Sequence, residues 1–483
     1  MPKEDRANLL LQQGIESVKA GESSAALRLF DEALALVPDN PVVNYNAGLA
    51  RHQAGSVEAA VTAYRAAIES QPEFTEAWIN LSHALKQLGR YEEALETGER
   101  AIHLDDGNSS AWLAKGNALR GLRELVQAVV TFRRGTEAVP EDRELKVSLA
   151  NTMRELGQVQ EAIQLLREIV AEHPGFAEAH RDLAHALLLN GDYREGWREN
   201  RWRWGTGSLQ GAKRHQSIPE WTGQSLTGKT ILLWDEQGFG DAIQFVRFVP
   251  WAAEMGAEVV IETQPELVRL FKTVEGSPDV LARGEPLPEV DYQSSLLDLP
   301  DVFRTEPPCI PNEMPYIHAG QVSKSAASDR LRVGLCWAGN PSHDNDRNRS
   351  LDFKLLKPLL ELQGIDFFSL QVGSRAGDAF AEPNVQQPGR FFDFLETAQF
   401  VVTLDLVITV DSSVAHLCGA LGQKVWVLLP NAPDWRWSLE GKVTCWYPDS
   451  RLFRQTRGGN WEPVIKKIGN EISESLHVKP LTD

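Results

Sequence analysis

The sequence predicts an α + α/β protein: an all-helical repeat arm over residues 7–204, a linker at 205–229, and two open α/β halves at 230–320 and 331–470. Two observations carry this reading. Residue columns recur every 34 positions through the first third of the chain, and from Thr230 onward short apolar runs alternate with helical patterns.

In the arm, Gly14, Gly48 and Gly116 share one register. Ala26, Ala60, Ala94, Ala128 and Ala162 share a second, Phe30, Tyr64 and Phe132 a third, and Pro38, Pro72, Pro140 and Pro174 a fourth. Trp78 and Trp112 stand near the start of their repeats. Small residues let paired helices approach, aromatics fill the gap, and Pro ends the second helix. These columns resemble the tetratricopeptide repeat, covering about five repeats from Ala7 to Phe176 and a less regular sixth from Ala177 to about Trp204. Such stacks form a superhelix whose concave face holds extended peptides. Asn46 and Asn80 share one column, Asn117 and Asn151 another. Each amide offers both a donor and an acceptor to a peptide backbone. The arrangement is similar to the Asn ladder of protein O-linked N-acetylglucosamine transferases, although Ala114 and Ser148 interrupt it. The competing reading is a set of solvated polar positions.

Residues 205–229 lose the repeat and read as a linker. Just before them, the aromatic and arginine content of Trp197-Arg198-Glu199-Asn200-Arg201-Trp202-Arg203-Trp204 suggests nucleic-acid stacking or, in preference, a capping helix that packs the arm onto the next domain with buried indoles.

In the first α/β half, Thr230–Trp234 reads as a buried strand. Asp235-Glu236-Gln237-Gly238-Phe239-Gly240-Asp241 follows as a glycine turn, with Gly238 and Gly240 permitting close approach of a ligand, and a helix is expected from Ala242 to Met255. The third glycine of a dinucleotide fingerprint is missing, which argues against a nicotinamide enzyme. Asp241 stands at the strand mouth, either as a general base or as a helix cap. Strands are expected at Glu258–Glu262 and Asp279–Ala282, and a helix at Pro265–Glu275. Pro-rich sequence then closes the half near residue 320.

The second half opens with a strand at Leu331–Trp337. The polar loop Ala338–Ser350 follows, in which Asn340, Arg347 and Arg349 are donor-side candidates and the two arginines could clamp a phosphate. Asp344-x-Asp346 mimics a metal-binding carboxylate pair, but the neighbouring arginines compete for it. Next come a helix at Phe353–Leu362, a strand at Asp366–Leu370 ending in Gln371-Val372-Gly373, and a helix at Phe391–Phe400. The apolar run Leu404–Val410 ends in Asp411-Ser412-Ser413-Val414-Ala415-His416. There Asp411, Ser412 and Ser413 would sit at a helix start whose unpaired N–H groups suit a phosphate, with His416 one turn in.

Glu236–Phe245, Trp337-Ala338-Gly339-Asn340, Asp346–Ser350, Asp411–His416, Ala420-Leu421-Gly422, Trp435-Arg436-Trp437 and Trp446-Tyr447-Pro448 occur in that order. Together they resemble bacterial tetratricopeptide-repeat proteins with a C-terminal domain similar to the family 9, heptosyltransferase-like glycosyltransferases. The resemblance implies a repeat superhelix followed by a GT-B pair of Rossmann-like domains, the first for the acceptor and the second for a nucleotide-activated sugar. It implies inverting, metal-independent transfer without a cofactor, the nucleotide-sugar being a co-substrate. Asp241 matches the family's base, and Asp411, Ser412, Ser413 and His416 its donor motif; Gln371 falls on the donor side. The lysine of many heptosyltransferases has no clear equivalent, with Arg347 or Arg349 nearest, which weakens an ADP-heptose assignment. A protein acceptor such as flagellin is expected from the arm. A non-catalytic scaffold and a lipopolysaccharide heptosyltransferase are the rival readings.

Composition bounds these readings. At 483 residues the chain exceeds one core, and 42% hydrophobic with 24% charged residues is ordinary for a soluble globular protein. A net charge of −18 argues against nonspecific nucleic-acid binding, which depends on Lys and Arg. Neither a secretory leader nor an apolar run long enough to span a membrane is expected. The four cysteines show neither metal spacing nor a disulfide framework, so Cys336 and Cys418 read as core thiols and the expected compartment is the cytoplasm.

Overall fold

The computed structural model describes residues 2–207, 209–322, 330–343, 345–456 and 458–477. The chain divides into two compact units between Gly175 and Phe176.

The first unit is a row of helices: α1 (Lys3–Lys19), α2 (Ser23–Leu36), α3 (Pro41–Gln53), α4 (Val57–Ser70), α5 (Thr75–Gln87), α6 (Tyr91–Leu104), α7 (Ser109–Gly121), α8 (Leu125–Ala138), α9 (Arg143–Glu155) and α10 (Val159–Glu172). Its geometry explains the columns. A Cβ on Gly14 would lie 2.5 Å from the Phe30 ring, and one on Gly48 2.5 Å from Tyr64, with Gly116 meeting Phe132 in the same way. The third repeat leaves both columns together because the exchange is reciprocal. Ser82 stands in the glycine position and donates to the Ala94 carbonyl at 2.7 Å. Gly98 stands in the aromatic position, where a Cβ would lie 2.8 Å from the Lys115 backbone nitrogen.

A further column closes the first helix of each repeat. Gly21, Gly55, Gly89 and Gly157 take φ of 78°, 78°, 75° and 88°, and in the fourth repeat Arg123 takes φ 65°. Each turn has the paired backbone bonds of a Schellman cap, as in Gly21 N–H to Val18 O and Glu22 N–H to Ser17 O. A side chain at positive φ is strained. Arg123→Gly is therefore expected to stabilise the arm by about 0.5–1 kcal/mol, read as a raised melting temperature of the helical transition. A lowered one would mean that the Arg123 side chain contributes more than its backbone costs.

The second unit begins with α11 (Ala177–Asn190) and α12 (Tyr193–Asn200). The expected sixth repeat therefore groups with the α/β part. The reason is its aromatic and arginine content. Trp197, 2% exposed, donates to the Thr305 carbonyl at 3.0 Å and packs edge-on against Phe245, Trp435 and Trp446. Within the second unit the indoles of this stretch range from buried Trp197 through half-buried Trp204 to exposed Trp202. The linker expectation is corrected. Trp221 and Leu226 are fully buried, Glu220 bridges to Gln293 at a sheet edge, and Arg214 pairs with Glu262 and Asp235. Arg214 to Leu226 are thus fastened to the first sheet at these points.

The first sheet holds β1 (Lys229–Trp234), β2 (Ala257–Thr263), β3 (Asp279–Ala282) and β4 (Tyr292–Ser295), all parallel, in the order β3-β2-β1-β4. The second holds β5 (Leu331–Cys336), β6 (Ile365–Ser369), β7 (Val385–Gln386), β8 (Leu406–Val410), β9 (Val425–Leu429) and β10 (Ser450–Arg454), all parallel, in the order β10-β9-β8-β5-β6-β7. That is the doubly wound order in which the first strand of a sheet neighbours its second and fourth. Strands β8 and β9 are buried throughout, as parallel strands covered on both faces must be. The expected long helix at Ala242–Met255 is broken into Phe239–Phe245, a 3-10 turn and Val249–Glu254. Pro250 has no N–H for a continuous helix.

Candidate functional site

In a doubly wound sheet the ligand crevice opens where the strand order reverses, beyond the carboxyl ends of the strands. In the second half this lies between β5 and β8. There the Ala338–Ser350 loop leaves β5, and Asp411-Ser412-Ser413 leaves β8. In the first half it lies between β1 and β4, where the Asp235–Asp241 turn leaves β1.

The two motifs meet. A Cβ on Gly240 would lie 2.9 Å from Cδ2 of His416 and 3.6 Å from Cα of Ser413, so only glycine fits without displacing the imidazole. At Gly238 a Cβ would meet nothing nearer than the Asp241 carboxylate, 3.5 Å away. Asp241 Oδ2 accepts from the Gly238 N–H at 3.2 Å, so this residue does cap its helix. Its other oxygen, Oδ1, accepts from Arg436 Nη2 at 2.5 Å.

Ser412 caps the helix Ser413–Ala420 with extended φ and ψ. Its Oγ lies 3.0 Å from the Thr409 hydroxyl, and Ser412 and Ser413 are both half-buried. Asp411 is 8% exposed, and burial, reinforced by Asp434, pushes its carboxyl up to about 6. His416 is 4% exposed, and its Nδ1 lies 3.0 Å from the Tyr447 hydroxyl. Burial and the nearby Arg436 cation push its pKa down to about 3. So lowered, His416 offers an uncharged imidazole rather than a cation beside the helix start.

These shifts act on stability with opposite signs. A neutral buried His416 contributes fully above the ordinary value of 6.5 and loses that contribution as pH falls toward 3. Asp411, raised from 3.8, contributes fully below that value and loses it as pH rises through about 6. The two nearly cancel at intermediate pH. For His416→Gln, the stability deficit against wild type is expected to be roughly 2–3 kcal/mol smaller at pH 4.5 than at pH 7.5, measured by urea unfolding. A pH-independent deficit would mean that the imidazole takes up a proton inside the fold.

The other donor-side candidates separate. Arg347 is exposed. Arg349 turns inward, its side chain 13% exposed and pressed against Gly339, whose Cβ would lie 2.7 Å from Nη2. Asn340 is exposed and accepts from the Ser342 N–H at 3.0 Å. Gln371 is committed to the chain itself: Oε1 accepts from the Trp337 and Ala338 amides at 3.1 and 2.9 Å, and Nε2 donates to the Ala338 and Val372 carbonyls at 3.0 and 3.1 Å. It ties the ends of β5 and β6 together rather than facing a ligand. Asp346 is buried and accepts from the Ser350 hydroxyl at 2.8 Å, while Asp344 lies outside the described residues. Among the described residues no cluster of three or more His, Cys, Asp or Glu side chains is arranged to hold a metal.

Arg436 is the residue whose role sequence reasoning missed. Its Nε donates to Gln244 Oε1 at 2.7 Å and its Nη1 to Asp434 Oδ1 at 2.8 Å, and the guanidinium lies 4.2 Å from the Trp435 ring. Asp434 holds it above its ordinary value against the cost of burial. The only signal in the sequence was an arginine flanked by two tryptophans. Below it Arg247, 1% exposed, fastens the halves by donating to the Pro311 and Trp446 carbonyls at 3.0 and 2.9 Å and to the Tyr316 hydroxyl at 3.1 Å. Beside the β1 turn, Arg203 grips Glu236 through Nε at 2.9 Å and Asp298 through Nη1 at 2.8 Å. Hollows lie away from these residues, one of about 430 Å³ beside Pro315, Ile317, Val402 and Leu421 and one of about 710 Å³ beside the edge strand β3.

On the arm, Asn46, Asn80, Asn117 and Asn151 are all half-exposed. Asn46 donates to the Val42 carbonyl at 2.8 Å, and Asn80 to the Glu76 carbonyl at 2.9 Å and the Tyr45 hydroxyl at 3.1 Å. Asn117 and Asn151 accept from Arg120 and Arg154 at 3.3 and 3.5 Å. Neighbouring repeats are stitched along this row at a separation of 35 residues, by Tyr45–Asn80, His52–Gln87 and Arg120–Glu155.

Tetratricopeptide-repeat family models match residues 11–73, 53–109, 79–143 and 153–196, so the N-terminal region consists of these repeats. Protein FlbA of Caulobacter vibrioides is 26% identical over 326 residues, covering 60% of this chain and 54% of FlbA. The chain thus spans about half the length of the curated relative it matches. Among solved structures, the thermophilic tetratricopeptide protein TTC0263 of Thermus thermophilus is 22% identical, with a TM-score of 0.33 over 38% of this chain and 99% of that one. The pilF protein of Pseudomonas aeruginosa is 16% identical, with a TM-score of 0.37 over 44% of this chain and 98% of that one. No described helix is long and apolar enough to cross a membrane.

Proposed function

We propose that the α/β part is a GT-B glycosyltransferase that moves a sugar, with inversion, from a nucleotide-activated donor to a hydroxyl of a protein recognised by the repeats. The observation that carries this reading is the meeting of Gly240-Asp241 with Ser413 and His416, two strand-end motifs brought together from separate parallel sheets.

In the proposed reaction the acceptor oxygen bonds to the anomeric carbon while the bond from that carbon to the phosphate oxygen breaks. The electron pair leaves with the nucleoside diphosphate, and the hydroxyl proton passes to Asp241. Charge developing on the leaving group is met by the amide groups that open the Ser413 helix, by Arg349 and by Arg436. Tetratricopeptide repeats suit protein–protein recognition, and flagellin is the first client to assay. Calorimetric titration of the full chain with UDP, GDP, ADP and CMP tests the donor half. One of them is expected to bind at a single site, and binding of none would overturn the reading.

A further inference from the structure

We propose that Asp241 and Arg436 form a donor-released latch. Before donor binds the Asp241 carboxylate occupies Arg436, and a diphosphate takes over the guanidinium and frees the carboxylate to act as base. This rests on the glycosyltransferase reading and adds an order of events to it.

Three features point to exchange at this pair. Arg436 is anchored at two other points, with Nη1 on Asp434 and its face on Trp435 in its own half, and Nε on Gln244, which shares the helix of Asp241. Nη2 is the atom that reaches Asp241, from the opposite half. The two partners also differ in freedom. The Arg436 side chain is 12% exposed and anchored, whereas the Asp241 side chain is 21% exposed and otherwise held by one backbone amide. The movable member of the pair is therefore the carboxylate.

The charges gathered on Arg436 suit such an exchange. A diphosphate leaving group without a metal needs the same cation, and His416 is neutral. Asp411, Asp434 and Asp241 all act on Arg436. An incoming dianion therefore competes with carboxylates already present for the Nη2 edge of the guanidinium, and brings more charge to it than one carboxylate.

The test is calorimetry of the full chain at one ionic strength with UDP, GDP, ADP and inorganic pyrophosphate, on wild type, Asp241→Asn, Arg436→Gln, Arg436→Lys and the Asp241→Asn/Arg436→Gln double variant. Circular dichroism verifies folding of each, with Asp241→Ser as the second variant at that position. Asp241→Asn is expected to bind the diphosphate at least tenfold more tightly than wild type. Arg436→Gln should bind at least tenfold more weakly, with partial rescue in Arg436→Lys. The gain from Asp241→Asn should vanish in the Arg436→Gln background, a coupling that a merely structural Arg436 does not produce. If a nucleotide binds wild type and Asp241→Asn equally, the latch is overturned while the donor reading stands. If pyrophosphate binds with this coupling and no nucleotide binds, the latch stands as an anion switch and the glycosyltransferase reading falls. Failure of every probe to bind overturns both.

Discussion

On the proposed reading Asp241→Asn is expected to lower the rate of sugar transfer by a factor of about 10²–10⁴, with the donor diphosphate bound more tightly than in wild type. Asparagine keeps the size of the side chain and can still accept from the Gly238 amide, which aspartate does at 3.2 Å. What it loses is the capacity to take a proton and the charge that holds Arg436. The measurement is product formation under saturating donor, with calorimetric affinity as the companion value. Turnover near wild type would remove Asp241 as the base, whatever its contact with Arg436.

Arg203→Met should strongly destabilise the second unit. Its guanidinium is 2% exposed and holds two buried carboxylates, Glu236 and Asp298, with a face on the Trp204 ring. Methionine fills part of the volume but strands both acids. Breaking one side of a buried ion pair costs about 3–5 kcal/mol, which corresponds to a fall of roughly 10 °C in the melting of a domain this size. Glu236→Gln and Asp298→Asn added to Arg203→Met should recover much of the loss, because the stranded charges are gone. A fall of only a degree or two would mean that water reaches the acids and that this network does not fix the β1 turn.

The arm was legible because a repeat states each packing rule several times. Gly14 and Phe30, Gly48 and Tyr64, and Gly116 and Phe132 are one contact written three times. The same logic explains what escaped notice. In the third repeat Ser82 and Gly98 change together, so each looks like noise in its own column. The glycine column at the turns was hidden by Arg123, which adopts the same backbone without the same side chain.

At the site, the strand-end turns could be read because apolar runs ending in Gly or Ser and Asp mark local geometry. Their partners could not. Arg436 reaches Asp241 across 195 positions, and no local pattern says which carboxylate an arginine will meet. His416 was placed correctly on its helix, but its charge state depends on Tyr447, Trp437 and Arg436 closing over it. Gln371 stood at a strand end, where ligands bind, yet its amide was already claimed by the backbone of Trp337 and Ala338. A loose composition at 205–229 likewise concealed Trp221 and Arg214, whose partners lie in the first sheet and the strand-end residues around it.

On the proposed reading one nucleotide site lies where the β5, β8 and β1 loops converge. Photo-crosslinking tests it most directly: azido-nucleoside diphosphates are bound to the full chain, irradiated, and the labelled peptides mapped by mass spectrometry. Label is expected on peptides from 337–350 and 404–429, competed away by the parent nucleotide and increased in Asp241→Asn. Label confined to the repeats, or spread evenly and unaffected by the competitor, would contradict it.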